Sequence, residues 1–171
     1  MTLALRLIDA QPEDRFSGIN HNHLTDEERA SVLRLAFEVL GASHAPGQTL
    51  SNPSETAQYL RFVFEGYKNE VFGVIFLDGR NRLLAFEELF SGTIDGCSVH
   101  PRVVVQRTLA LNAAAVIFAH NHPSGVAEPS RADEALTRRL NDALSLIDVR
   151  VLDHLVVGSE GTVSFAERGL L

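Results

Sequence analysis

The chain has 171 residues, 45% of them apolar and 22% charged, with one cysteine and no tryptophan. Such a composition is ordinary for a folded domain. It excludes a disordered chain, a collagen-like repeat, a disulfide framework and any cysteine-rich zinc module. The formal charge of −7 argues against a broad phosphate-binding face.

Residues 1–24 hold no sustained hydrophobic period and read as an irregular arm, His21-Asn22-His23 included. The first eleven residues are too weakly apolar for a secretory signal, and the longest apolar run, 113–119, is far short of the ~20 residues a spanning helix needs. A cytoplasmic location is expected, and the unpaired Cys97 suits a reducing compartment. Thr25 with Glu28 forms a capping box, and Leu33, Ala36, Phe37 and Leu40 recur at helical spacing up to Gly41, the expected stop. Residues 42–50 have linker composition. They suggest an arm and helix over 1–48 and a domain over 49–171. The apolar stripe of this first helix suits its own domain or a second copy in a homodimer.

A second helix is expected from Asn52-Pro53 to Gly66. Residues 71–77 are almost continuously apolar, as in a strand covered on both faces. Asp78-Gly79-Arg80-Asn81 is a turn, and 82–90 returns as a second strand. Residues 93–99 suggest a third. His100-Pro101 opens a helix to about Asn112, 113–119 reads as a buried strand, and a polar loop follows. A helix from Ser130 to about Leu146 presents Leu136, Leu140 and Leu144 on one face. Strands over 149–157 and 162–165 close the chain. The class is α+β, a mixed sheet flanked by helices.

The chemistry lies in His120-Asn121-His122-Pro123-Ser124-Gly125, followed by Pro129, Ser130 and Asp133. At the end of a strand, residues i and i+2 project to one side, so two imidazoles can converge on one ion. Pro123, Gly125 and Pro129 turn the chain. Ser130 falls at a helix N-cap and Asp133 at the third helical position, from which the helix start can return the carboxylate toward the histidines. Two histidines and one carboxylate suit zinc with a fourth position open to water. Ser130 and Asp133 are equally a plain helix cap, and the two roles are compatible.

His-x-His, seven residues, Ser, two residues, Asp matches the signature of the JAMM (MPN+/JAB) zinc metalloproteases at every position. Gly92-Thr93, Val99-His100-Pro101-Arg102, Asn112 to Ala115, His120 to Gly125 and Leu152-Asp153-His154 resemble the RadC branch of that family, over about residues 49–171. The resemblance implies an MPN/JAB, cytidine-deaminase-like three-layer fold. It implies one Zn2+ per chain, held by His120, His122 and Asp133. It implies that Ser130 steadies an oxyanion and that an upstream Glu at a strand start moves the proton of the attacking water. Glu70 occupies that place, and the hairpin fits Glu65, Glu87 and Glu88 less well. The implied activity is hydrolysis of a peptide or isopeptide bond in a peptide or protein substrate.

Two features depart from the RadC pattern. RadC-type proteins carry an N-terminal segment resembling helix-hairpin-helix modules. Residues 1–48 show no Gly-rich hairpin repeat, so a short form is expected. Val103 stands where the pattern places a Glu. The rival expectation is a DNA-repair or mobile-element accessory with a non-catalytic or nuclease-type metal site. The acidic balance counts against direct DNA contact, and there is no carboxylate cluster for two metals. His154 is expected to be a hydrogen-bonded core histidine or a support for a ligand, His100 a helix-entry residue, Cys97 a packing residue and Arg138-Arg139 a solvated pair.

Overall fold

A computed structural model describes residues 20–43, 45–50, 53–94 and 96–171. The chain divides into two compact units, residues 1–36 and 37–171. Residues 1–19 and Asn52, parts of the expected arm and second helix, lie outside the described residues. His21-Asn22-His23 is one 3-10 turn rather than an irregular stretch, because the Asn20 side chain accepts from the Asn22 N–H. Helix α1 (Asp26–Ser43) opens on the expected box: the Thr25 N–H donates to Glu28 Oε2 at 2.9 Å and the Glu28 N–H to Thr25 Oγ1 at 3.2 Å. It continues two residues past Gly41, which has no left-handed φ and so does not end it.

The second unit is built on a five-stranded mixed sheet, β1 (Val71–Leu77), β2 (Leu83–Ser91), β3 (Ala115–Asn121), β4 (Arg150–Gly158) and β5 (Gly161–Ser164), in the order β2-β1-β3-β4-β5. Only β3 and β4 are parallel. Helix α4 (Arg131–Ser145) leads from β3 to β4. Every residue of β1 is buried, as its unbroken apolar run requires of a strand covered on both faces. One cluster joins Phe72, Val74, Phe76, Val116 and Phe118 to Val104 of α3 (Pro101–Ala110) and to Leu140 and Leu144 of α4. A second joins Val71, Ile75, Ala119 and Val157 to Leu60 of α2 (Pro53–Val63) and to Phe64. The sheet is thus sandwiched between helices. Leu140 and Leu144 are fully buried, each worth about 2 kcal/mol of transfer free energy.

Three expectations change. The described residues of 93–99 form no strand. The Thr93 N–H donates to the Gly96 carbonyl, and a Cβ at Gly92 would lie 2.0 Å from that same oxygen. The chain doubles back there too tightly for a strand to form. Residues 45–50, of linker composition, are tied to the hairpin: the Gly47 N–H donates to the Leu83 carbonyl and the Leu83 N–H to the Gln48 carbonyl. The last expected strand ends at Ser164. Phe165 instead opens a short helix, α5 (Phe165–Arg168), capped by the Ser164 side chain and ended at Gly169 with φ 68°. No helix among the described residues is long and apolar enough to cross a membrane.

Candidate metal centre

Strand register assembles the site. β1 and β3 are antiparallel with Phe72 opposite His120, so the same register continued two residues outward sets Glu70 opposite His122. β3 runs two residues further than the apolar run suggests, through Asn121, and the His122 N–H extends the pairing by donating to the Val157 carbonyl at 2.8 Å. Gly125 then lets the loop turn at φ 90°, and Gly158 lets the loop press onto the β4–β5 turn: a Cβ at Gly158 would lie 2.2 Å from the Gly125 carbonyl oxygen. Arg168 holds the loop's far side through Glu128 at 2.7 Å.

The loop ends at the N-cap of α4. Ser130 Oγ accepts from the Asp133 N–H at 3.2 Å, and Asp133 Oδ2 accepts from both the Ser130 N–H at 2.7 Å and the Ser130 hydroxyl at 2.6 Å. This capping box fixes Asp133 with Oδ1 toward His120. His120 Nε2 lies 3.0 Å from His122 Nε2 and 3.4 Å from Asp133 Oδ1, and His122 Nε2 lies 3.7 Å from Asp133 Oδ2. The His122 Nδ1–H donates to the Val126 carbonyl at 2.9 Å, which turns the Nε2 lone pair inward.

This donor set fits a tetrahedral ion. Metal–ligand bonds of 2.0–2.2 Å imply donor–donor edges of roughly 3.3–3.6 Å; His120 Nε2 and Asp133 Oδ1 lie at such a distance, and the three donor atoms, one from each residue, all lie within 4.8 Å of one another. Two imidazoles and a carboxylate suit zinc better than calcium or magnesium, which take all-oxygen shells. Among the described residues these three are the one group of metal-ligating side chains close enough to share an ion.

Glu70, Ser130 and all three donors line one cavity of about 460 Å³, together with Cys97, Val99 and Ile94. Burial raises the Glu70 carboxyl, and the negative Asp133 raises it further, against a smaller lowering by His122. Burial brings His120 down to about 4. The Asp133 carboxylate facing His122 pushes that imidazole up. Burial raises the Asp133 carboxyl, but the facing His122 and His120 rings and the bonds from Ser130 outweigh it and hold the group well below the usual carboxylate range.

The other acids are occupied elsewhere. Glu87 pairs with Arg107, Glu88 accepts from the Tyr67 hydroxyl at 2.7 Å, and Glu65 lines a separate cavity of about 410 Å³. Cys97 packs against the core and also lines the site cavity, which its lack of any motif partner concealed. His100 is the N-cap residue of α3 and meets the Phe90 ring edge-on. Arg138 pairs with Glu134 on an exposed face.

Two supports were not foreseen. The buried Asn121 side chain accepts from the Val71 N–H at 2.7 Å and donates to the Asn69 carbonyl at 3.1 Å, bracketing Glu70. Its polar character inside an apolar strand was the available signal. Thr137, one turn after Asp133, touches the fully buried His154, and a polar residue at i+4 from a proposed ligand marked it.

Residues 50–170 match the family model of the RadC-like JAB domain. The chain belongs to the RadC-like JAB family. Within it, this RadC-like chain is 62% identical over 141 residues to a UPF0758 protein of Thioalkalivibrio sulfidiphilus, covering 82% of this chain and 63% of that one. A UPF0758 protein of Methylibium petroleiphilum is 52% identical over 173 residues, covering 92% and 78%. One from Vibrio cholerae is 56% identical over 140 residues, covering 82% and 88%. The chain thus spans about three-fifths of the length of the Thioalkalivibrio relative. The mixed sheet with flanking helices agrees with the JAB fold.

Proposed function

We propose that this RadC-like JAB domain is a zinc-dependent hydrolase of the JAMM type, acting on a peptide or isopeptide bond. The observation that carries the reading is the convergence of His120 Nε2, His122 Nε2 and the Asp133 carboxylate in one cavity with Glu70. A zinc ion held by these three supplies Lewis acidity to a carbonyl and brings the pKa of water toward ~7. Glu70, its affinity for a proton raised by burial, accepts the proton of the attacking water and delivers it to the leaving amine. Asp133 stays ionised under the bonds from Ser130 and keeps its place through the capping box. The Ser130 hydroxyl points at Asp133 Oδ2 and must rotate away to donate to a developing oxyanion, while the Ser130 N–H maintains the cap.

The chain's acidic balance and the absence of a second metal-ligating group among the described residues favour this reading over two-metal nuclease chemistry. The test is elemental analysis of the wild type beside His122→Ala and Asp133→Ala, followed by peptide and isopeptide cleavage screens with Glu70→Gln as control. One zinc per chain in wild type, lost in both variants, with Glu70→Gln retaining zinc but not turnover, supports it. Wild type that takes up no zinc, or cleavage unaffected by Glu70→Gln, overturns it.

A further inference from the structure

Among the described residues, His154 is the most enclosed polar ring. It is fully buried on β4, stacked on Phe165 at 4.7 Å and flanked by Phe72 and Phe118 at 5.6 and 5.8 Å. An imidazole in such surroundings is costly unless its nitrogens are bonded, and both are. Nδ1 lies 2.6 Å from Thr137 Oγ1, and Nε2 lies 2.8 Å from His120 Nδ1. With both nitrogens occupied, His154 has none left for an ion, so it is no ligand.

The direction of these bonds follows from one carbonyl. Thr137 Oγ1 lies 2.7 Å from the Asp133 carbonyl oxygen, which can only accept. The hydroxyl proton is therefore directed there, and Oγ1 accepts from the His154 Nδ1–H. A neutral imidazole carries one N–H, so His154 Nε2 is bare and accepts from the His120 Nδ1–H. His120 Nε2 is then bare as well, facing His122 Nε2 and Asp133. The opposite direction would place a proton on His120 Nε2 and leave Thr137 and the Asp133 carbonyl as two facing acceptors.

We propose that Thr137 and His154 are positioning residues: the chain Asp133 carbonyl–Thr137–His154–His120 fixes the tautomer and ring orientation of His120 so that its Nε2 lone pair faces the space shared with His122 and Asp133. The proposal rests on the metal-site reading for its purpose but not for its test. The first two members of the relay lie on one turn of α4, because Asp133 and Thr137 are four residues apart, and its far end, His120, lies on β3. Helix α4 thereby sets one donor through its cap and a second through strand β4. A support of this kind behind a ligating histidine typically carries 10–100-fold in metal affinity.

The experiment uses the full chain, metal-free, labelled with 15N at histidine, and reads the His120 tautomer by long-range nitrogen–proton correlation. The expected result is a proton on His120 Nδ1 alone in wild type and a populated Nε2–H form in His154→Phe, which keeps the ring packing, and in Thr137→Val. Thr137→Ser should restore the wild-type pattern. Zinc titration against a competing chelator should show 10–100-fold weaker binding in His154→Phe and Thr137→Val, with Thr137→Ser close to wild type. A proton on His120 Nε2 in wild type overturns the proposal. So does an unchanged tautomer in whichever of His154→Phe or Thr137→Val folds. Wild type with the expected tautomer but no zinc uptake rejects the metal reading and leaves the relay standing.

Discussion

Replacing Asn121 by Ala tests whether the residue between the two histidines holds the Glu70 backbone in place. Glu70 is already tied along one edge, its N–H to the Thr93 carbonyl at 2.9 Å and its carbonyl to the Gly92 N–H at 2.8 Å. Asn121 holds the other edge through its neighbours Asn69 and Val71. Alanine leaves the Val71 N–H, on a residue only 2% exposed, with no partner, at about 1–3 kcal/mol. The Asn69 carbonyl lies on an exposed residue and can turn to water, so its lost bond adds at most about 1 kcal/mol. The expected loss is about 1–4 kcal/mol in urea denaturation of the metal-free protein, with faster amide exchange at Val71 than at Phe72. Asn121→Asp keeps the acceptor for Val71 and should lose less. A loss below about 0.5 kcal/mol with Val71 still protected would show that the clamp does not operate.

Acid should weaken the metal-free protein. The His120 value falls from an unfolded 6.5 to about 4, so the unfolded chain binds the extra proton and stability is lost as pH drops between those values, by about 3 kcal/mol from this residue alone. His154 acts in the same direction, and His122, raised by Asp133, in the opposite one. Thermal melts from pH 7 to 4.5 should therefore fall, and fall further in His122→Ala; a flat profile would refute the assignment of His120 as buried and neutral. Gly158→Ala drives a Cβ into the Gly125 carbonyl and should cost about 1–3 kcal/mol while displacing the loop that carries His122. Weaker zinc binding in a folded Gly158→Ala protein is the expected readout, and unchanged affinity with unchanged stability would show that the loop does not depend on this contact.

Much of the sheet and helix order was legible because β1 is an unbroken apolar run and α4 has both a capping box and a leucine face. The three donors were legible for a similar reason: their convergence depends on strand spacing and a helix start, both short-range. What the residues did not disclose depends on register between distant strands. The pairing of Phe72 with His120 brings Glu70 to His122, and only the family resemblance pointed to Glu70 beforehand. Residues 93–99 were misread as a strand because the close approach that prevents one is between the backbones of Gly92 and Gly96, which no apolar period announces. The relay through Thr137 and His154 crosses from helix to strand; the i+4 spacing from Asp133 marked Thr137, but nothing local pairs it with His154.

The alternation of strand directions divides the labour between the two rims of the sheet. Glu70, the 92–97 turn, His122 and Gly158 all belong to the rim where β1 begins and β2, β3 and β4 end. The opposite rim is stitched by its own bonds, the Ala114 N–H to the Leu77 carbonyl and the Arg150 N–H to the Ala114 carbonyl, with Asn81 and Asn112 turning at positive φ. A strand length of protein separates the two. A dye, an affinity handle or a surface tether grafted at the exposed Gly79-Arg80 turn therefore stands at the rim of the sheet remote from the candidate site. The protein can be immobilised there without touching the rim that carries the candidate site.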